Sequence, residues 1–422
     1  MPLPSAEMLR RTGNRLIREQ LDYDVSIEKD NLDMYLRTLN QDQMRVFQSI
    51  TMSNEHGEGG CFFIYGSGGT GKTYLWKALI TYIRSKGLIV LSVASSGIAA
   101  LLLPMGKTAH SMFKIPINID ETSVCSISKQ SELAELIRET SLIIWDEAPM
   151  THRYIFEAVE RTFKDVCSTN EPFGGKLIIF GGDFRQVLPV VTKGNRADVV
   201  AVSISKALFW PYCTMRHLRL NMRLMNANLS HDAQTRLSSF AEWTLNIGNG
   251  SIRGYPFLGS SEPDWIQIPE EFIINNDNNG LTNLIEFVYP NLLHRYQDEQ
   301  YFQDRCILAP LNTDVDDLNS RILAKLSGST HTYLSSDTFL PCTTNSYIDD
   351  INPPELLHGM NFSGFPNHEV VLKVGAPVVL LRNLDPSIGL CNDTRLTIQR
   401  LGSKVIQAKI LTGRNVGQHV LI

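Results

Sequence analysis

The chain has 422 residues, 43% of them hydrophobic and 20% charged, with a formal net charge of −5. That length makes two or three domains with real cores, and the composition excludes a disordered chain. The acidic balance excludes a whole-chain basic surface for nucleic acid, so any such binding must use a local surface, backbone amides and stacking.

The seven cysteines, at 61, 125, 167, 213, 306, 342 and 391, form no C-x-x-C and are odd in number. This argues against a zinc site or a disulfide framework and for a reducing compartment. No long apolar run follows Met1, and no stretch approaches a membrane span. The expected protein is soluble and intracellular, with no membrane contact; no basic cluster separates nucleus from cytosol.

Residues 1–38 are charged and mixed, with a helix expected over 7–20 along Leu9, Leu16 and Ile17. Asn40 and Gln43 then have capping-box spacing ahead of a helix marked by Met44, Phe47 and Ile50. Gln43 has two readings here: a capping residue, or a side chain whose amide both donates to and accepts from an adenine edge.

Residues 61–65, CFFIY, read as a buried strand. Gly66-Ser67-Gly68-Gly69-Thr70-Gly71-Lys72-Thr73 follows and fits G-x-x-x-x-G-K-[ST]. Leu75, Leu79, Ile80 and Ile83 continue at helical spacing. Strand, glycine loop and helix are the context that motif requires. The glycines let backbone N–H groups turn inward around a phosphate, and the helix adds its positive end. Lys72 can reach the β- and γ-phosphates of a nucleoside triphosphate, and Thr73 can put its hydroxyl on Mg²⁺.

Residues 88–93, LIVLSV, read as a second buried strand. Ser95, Ser96, Thr108 and His110 lie in the turns that follow. Small hydroxyl residues there can donate to phosphates, or simply make an ordinary strand–turn–helix. Residues 114–130 are irregular, a small insertion. Residues 142–145, LIIW, run into Asp146 and Glu147. A strand ending in two acids beside a P-loop reads as a metal-holding Asp146 and a Glu147 that orients or deprotonates water. Residues 177–181, LIIFG, form another strand, followed by Gln186 at the carboxyl edge where ligands of open α/β sheets bind. Gln186 can sense a γ-phosphate there, or is a loop glutamine that faces solvent. These strands alternating with helices imply an α/β fold with a mostly parallel sheet.

Trp210-Pro211 reads as a break, with a domain boundary near 215. Arg223 lies in the run LRLNMR and could on sequence alone be a surface arginine. A strand is expected over 306–310, and a helix over 312–326 with Val315, Leu318, Ile322 and Leu326 on one face. Residues 330–365 read as a long loop. From residue 369 several short strands with Gly and Asn turns suggest a small sheet or barrel.

The ordered series LNQDQ, GSGGTGKT, ASSGIAALLL, GKTAHSMF, IIWDEAPM, GGDFRQVLPV, LRLNMR, ILAPLNTDVDDLN and VVLLRNLDPSIGLCNDTRL resembles the motifs of the petite-integration-frequency (Pif) family of 5′→3′ DNA helicases. It is most similar to the branch that includes Helitron-type transposon helicase domains, and it covers roughly residues 38 to 400. The resemblance implies two RecA-like cores with ATP between them and single-stranded DNA across their top. The implied divisions are an N-terminal extension at 1–38, a first core at 39–215 and part of a second at 216–365. A β-rich inserted domain would occupy 366–422. It also implies roles: Gln43 on adenine, Lys72 and Thr73 on phosphate and Mg²⁺, and Asp146 and Glu147 as the metal and hydrolysis acids. Gln186 would be the γ-phosphate sensor, Arg223 a transition-state arginine, and Ser95, Ser96, Thr108 and His110 would line the DNA path. The implied partners are single-stranded and tailed duplex DNA. The family's last two motifs are not found after residue 400, so the chain is expected to hydrolyse ATP slowly and unwind little. The rival expectations are a DNA-binding ATPase remnant of a transposon and a P-loop phosphotransferase.

Overall fold

The computed structural model describes residues 13–225, 230–252, 254, 265–274, 279–296, 298–337, 358, 366–385, 388–413 and 415–422. The chain divides into two compact units, Met1–Ile266 and Gln267–Ile422. Among the described residues no helix is long and apolar enough to cross a membrane.

The first unit is built on six strands: β1 (Gly60–Gly66), β2 (Ile89–Ala94), β3 (Lys107–Thr108), β4 (Thr140–Asp146), β5 (Leu177–Gly182) and β6 (Cys213–Leu218). They form one sheet in the order β3-β2-β4-β5-β1-β6, every pair parallel. The helices are α1 (Arg15–Gln20), α2 (Val25–Thr38), α3 (Gln41–Glu55), α4 (Lys72–Ser85), α5 (Gly97–Leu101), α6 (Ala109–Phe113), α7 (Glu132–Glu139), α8 (Arg153–Cys167), α9 (Arg196–Ala201) and α10 (His231–Gly248).

The unbroken apolar runs of the central strands follow from burial on both faces. Along β1, Phe63 faces one core, while Phe62 and Ile64 face the other. In β4, Ile143 and Trp145 alternate with Leu142 and Ile144. In β5, Ile178 and Phe180 alternate with Leu177 and Ile179. The first core is completed by α7 and α8 through Leu136, Ile137, Phe156 and Phe163. The second is completed by α3 and α4 through Phe47, Ile50, Leu75 and Leu79. The expected α/β architecture with a parallel sheet is therefore observed, enlarged by the short β3 and by β6. Because β6 joins this sheet, the first compact unit continues past the boundary expected near 215.

Cysteine chemistry departs from expectation. Cys61 and Cys213 form a disulfide across β1 and β6, where the register puts them side by side. They are 152 positions apart, so only the strand order reveals the pair. Cys125, Cys167, Cys306 and Cys391 are free, and Cys342 lies outside the described residues.

The second unit has helices α11 (Gly280–Val288), α12 (Leu292–Arg295), α13 (Glu299–Gln303) and α14 (Asn312–Lys325). Ile285, Tyr289, Tyr301, Phe302 and Leu318 share its helical core. Strands β7 (His331–Leu334) and β8 (Glu369–Leu372) pair antiparallel. Strands β9 (Pro377–Val379), β10 (Arg395–Leu401), β11 (Ile406–Ile410) and β12 (His419–Leu421) form an antiparallel sheet in the order β12-β11-β10-β9. The small β-rich region expected from residue 369 is thus present. The strand expected at 306–310 is not formed: no ladder partner meets it among the described residues, and Pro310 offers no N–H. Of the helix expected over 7–20, Arg15–Gln20 is helical, and residues 7–12 lie outside the described residues.

Candidate nucleotide site at the carboxyl edge of the sheet

Parallel strands put all their carboxyl ends on one edge. The register aligns those ends closely: Gly66 pairs with Leu218, Tyr65 with Gly182, and Ala94 with both Asp146 and Thr108. Every loop singled out in the sequence therefore leaves the sheet from the same edge.

The loop after β1 is shaped by its glycines. Gly69 and Gly71 have φ of +87° and +79°, where a Cβ is strained. A Cβ on Gly69 would also strike the Asn221 side chain, and one on Gly71 would strike Gln43. Thr70 donates its hydroxyl to the Ser67 carbonyl at 2.8 Å. Gly71 is the N-cap of α4 and offers no side-chain cap, so the first-turn N–H groups are left for an anion. Lys72 is buried, and its Nζ donates to the Gly66 carbonyl at 2.7 Å. A cation held against the loop with open amides around it suits phosphate.

Gln43 sits behind this loop and is 1% exposed. The capping box with Asn40 is formed. Its Oε1 accepts from the Asn40 N–H at 3.0 Å, and its Nε2 donates to the Thr70 carbonyl at 3.2 Å. The side chain thus braces the loop as well as the helix, and its amide is engaged at both ends.

Asp146 ends β4, is 4% exposed, and accepts from the Glu147 N–H at 3.1 Å. Burial raises its pKa; the Trp76 indole, the Glu147 N–H and Lys72 oppose the rise. Glu147 follows in the left-handed region at φ 52°, ψ 38°. For a glutamate that costs about 1 kcal/mol or more, a strain typical of functional turns. Burial first, then Asp146, raises the Glu147 pKa; Lys72 opposes and Asp183 adds to the rise. The hydroxyl of Thr73 and the carboxylate of Asp146 are the hard oxygen donors that Mg²⁺ takes. A buried carboxylate whose charge is only partly offset also fits a cation.

Two residues of this edge escaped the sequence reading. Asp183, after β5, is 4% exposed and takes the Arg185 Nε at 2.7 Å. It is a third acid near Glu147. Trp76 on α4 is fully buried, its indole N–H turned toward the Asp146 carboxylate whose charge it favours. Its ring packs where a Cβ on Gly181 would sit. A glycine at the end of a strand opposite an aromatic one turn into the P-loop helix was the available signal.

The remaining loops are placed as follows. Gln186 is exposed on the turn after β5, its N–H on the Asp183 carbonyl. The segment after β6 folds over the P-loop: the Met222 N–H donates to the Gly69 carbonyl at 2.8 Å, and Arg223 is exposed beside Gly69. Ser96 and Thr108 cap α5 and α6 through the N–H groups of Ala99 and Ser111. Ser95 accepts from the Trp145 indole at 3.2 Å and the Thr151 hydroxyl at 2.7 Å, leaving only its own proton to donate. His110 is exposed on α6, and partial burial of its ring lowers its pKa.

Asp146 carries a testable cost. The folded protein holds a proton on Asp146 more tightly than the unfolded chain does. Its contribution to stability is therefore lost as pH rises from the ordinary carboxylate range through the raised folded value. Asp146→Asn keeps the acceptor for the Glu147 N–H and removes the charge. It is expected to stabilise the fold at pH 7 by about 1 kcal/mol while hydrolysis falls. A urea midpoint that drops instead would mean that Lys72 fully compensates the buried charge.

The family models agree with this geometry. The PIF1-like helicase family matches residues 38–255, and the 2B domain of DNA helicase Pif1 matches residues 355–401. The ATP-dependent DNA helicase Pif1 of Psychrobacter sp. (strain PRwf-1) is 27% identical over 334 residues, 79% of this chain and 43% of that protein. The human ATP-dependent DNA helicase PIF1 is 24% identical over 361 residues, 85% of this chain and 46% of that protein. The chain thus spans about half the length of the curated relatives it matches. The structure of a Bacteroides Pif1 helicase with ADP-AlF3 and single-stranded DNA superposes with a TM-score of 0.56 at 21% identity, covering 91% of this chain and 74% of that one. The Pif1 helicase of Candida albicans gives 0.54 at 20% identity, covering 91% and 78%. Likeness at that identity speaks for the fold, and the six-stranded sheet is accordingly RecA-like. With the first match spanning over half of the sequence and the motif loops converging on one sheet edge, the chain belongs to the PIF1-like helicase family.

Proposed function

We propose that this chain is a DNA helicase motor that couples ATP hydrolysis to 5′→3′ movement along single-stranded DNA and to duplex unwinding, in repair, recombination, telomere maintenance or transposition. One observation supports the reading above all: six parallel strands bring the P-loop, two adjacent acids and the Arg223 segment to a single edge. The names of the relatives, ATP-dependent DNA helicases, point the same way.

In this reading Lys72 and the loop amides bind the β- and γ-phosphates. Thr73 and Asp146 hold Mg²⁺, which when bound offsets phosphate charge. Glu147 takes the proton of the attacking water, Gln186 senses the γ-phosphate, and Arg223 supplies positive charge to the transition state. Gln43 contacts adenine by giving up a carbonyl it now holds. Ser95, Ser96, Thr108 and His110 face the DNA. The unit that ends at Ile266 acts as the ATPase core, the unit from Gln267 holds part of a second core, and 366–422 act as an inserted β domain. The working stoichiometry is a monomer, and the location is intracellular, in the nucleus before the cytosol.

DNA binding tests it. Fluorescence anisotropy should show single-stranded DNA bound in preference to duplex. The turns that would carry the strand hold few Lys or Arg, so log K should fall with log salt at a slope of only about −2 to −3, near −0.7 per phosphate. A preference for duplex, or a slope near −7, would reject the proposed path. A 5′-tailed duplex should be opened ahead of a 3′-tailed one; the reverse would reject the polarity.

A further inference from the structure

We propose that Asp337, His358 and His368 form a binding site for a divalent transition cation, zinc being the best fit, at the open end of the β7–β8 ladder. One nitrogen from each histidine and a carboxylate oxygen of Asp337 lie within 4.8 Å of one another. Among the described residues no other group of three His, Cys, Asp or Glu side chains comes so close. The sequence argument against zinc considered cysteines; this cluster contains none.

The backbone brings two of the three together. The register pairs Leu334 with Glu369, and the Ser335 N–H donates to the His368 carbonyl at 2.8 Å, extending the ladder by one step. Asp337 and His368 therefore leave the same end of the hairpin, with His368 Nδ1 3.8 Å from Asp337 Oδ2. His358 arrives from elsewhere in the chain and stacks on His368, centroids 3.6 Å apart and planes 14° apart. Coordinate bonds lie in the ring planes, so to share one cation one of the two rings must turn out of this stack about its side-chain torsions.

The chemistry suits a borderline cation. Two imidazoles and a carboxylate are the donors of three-ligand zinc sites, which leave a fourth position to water. In a tetrahedron with bonds of about 2.0–2.1 Å, ligand atoms stand about 3.3 Å apart. Donors up to 4.8 Å apart need to close by as much as about 1.5 Å, a side-chain adjustment. Ser335 supplies the outer partner such sites use: its hydroxyl donates to Asp337 and lies 2.6 Å from His368 Nδ1. Asp337 is exposed and both histidines are half-buried, so the cation has a route in.

The test uses the whole chain, stripped with a chelator and then placed in excess Mg²⁺ to occupy hard oxygen sites. Zinc titrated against a chromogenic competitor should bind at one equivalent. His358→Ala and His368→Ala should each weaken it by about 100-fold or more, and Asp337→Asn by at least about tenfold. Co²⁺ on the unaltered protein should give the intense visible bands of a four-coordinate site, a readout independent of how any variant folds. No binding at one equivalent, a weak six-coordinate cobalt spectrum, or unchanged affinity in the doubly substituted His358→Ala, His368→Ala protein would overturn the site. None of these outcomes bears on nucleotide hydrolysis, so the two proposals fail separately.

Discussion

Replacing Glu147 with glutamine is expected to leave ATP binding intact and to cut hydrolysis by a factor of about 10²–10⁴. Glutamine keeps the shape of the side chain and its hydrogen bonding but cannot accept the proton of water. The residue is held in a left-handed turn directly after Asp146, so its position is set by backbone rather than by side-chain contacts, and the variant should preserve it. Burial and the neighbouring Asp146 raise its pKa. A base must be ionised to work, so the rate should fall as pH drops toward that raised value, above the ordinary glutamate range near 4.3. In Glu147→Gln this acid limb should shrink. Loss of nucleotide binding in the variant, measured with a fluorescent ATP analogue, would make Glu147 a structural residue instead.

The second large effect is expected from Lys72→Ala. The amine is the cation closest to the loop, donating to the Gly66 carbonyl, and it also opposes the pKa rise at both Asp146 and Glu147. Alanine removes the charge that offsets the β- and γ-phosphates and leaves the two acids facing each other without it. Hydrolysis should fall by a factor on the order of 10²–10³ or more, with ATP affinity reduced as well. Turnover equal to that of the unaltered protein would reject the P-loop as the nucleotide site.

The sequence made the central strands legible because burial on both faces leaves no polar interruption, as in residues 142–145 and 177–181. It also made the loops legible, since glycines at 69 and 71 and paired acids at 146 and 147 are costly features to keep without use. What it hid depends on strand order. The Cys61–Cys213 pair and the packing of the Met222–Met225 turn against Gly69 exist only because β6 joins β1. Trp76 reads as one more apolar residue of α4 until Gly181 is placed opposite it. Gln43 held two readings, and the fold makes it both a capping residue and a brace for the P-loop. Residues 306–310 had the composition of a strand, but composition does not supply a neighbour.

In the function proposed above, the carboxyl edge of this sheet hydrolyses ATP in response to a single strand of DNA. Steady-state hydrolysis of Mg·ATP by the 422-residue chain, measured with and without unstructured single-stranded DNA, decides it. A rate that rises with added single strand, and does not rise in Lys72→Ala, is the predicted result. A rate the same with and without DNA, or no hydrolysis in either case, would contradict it.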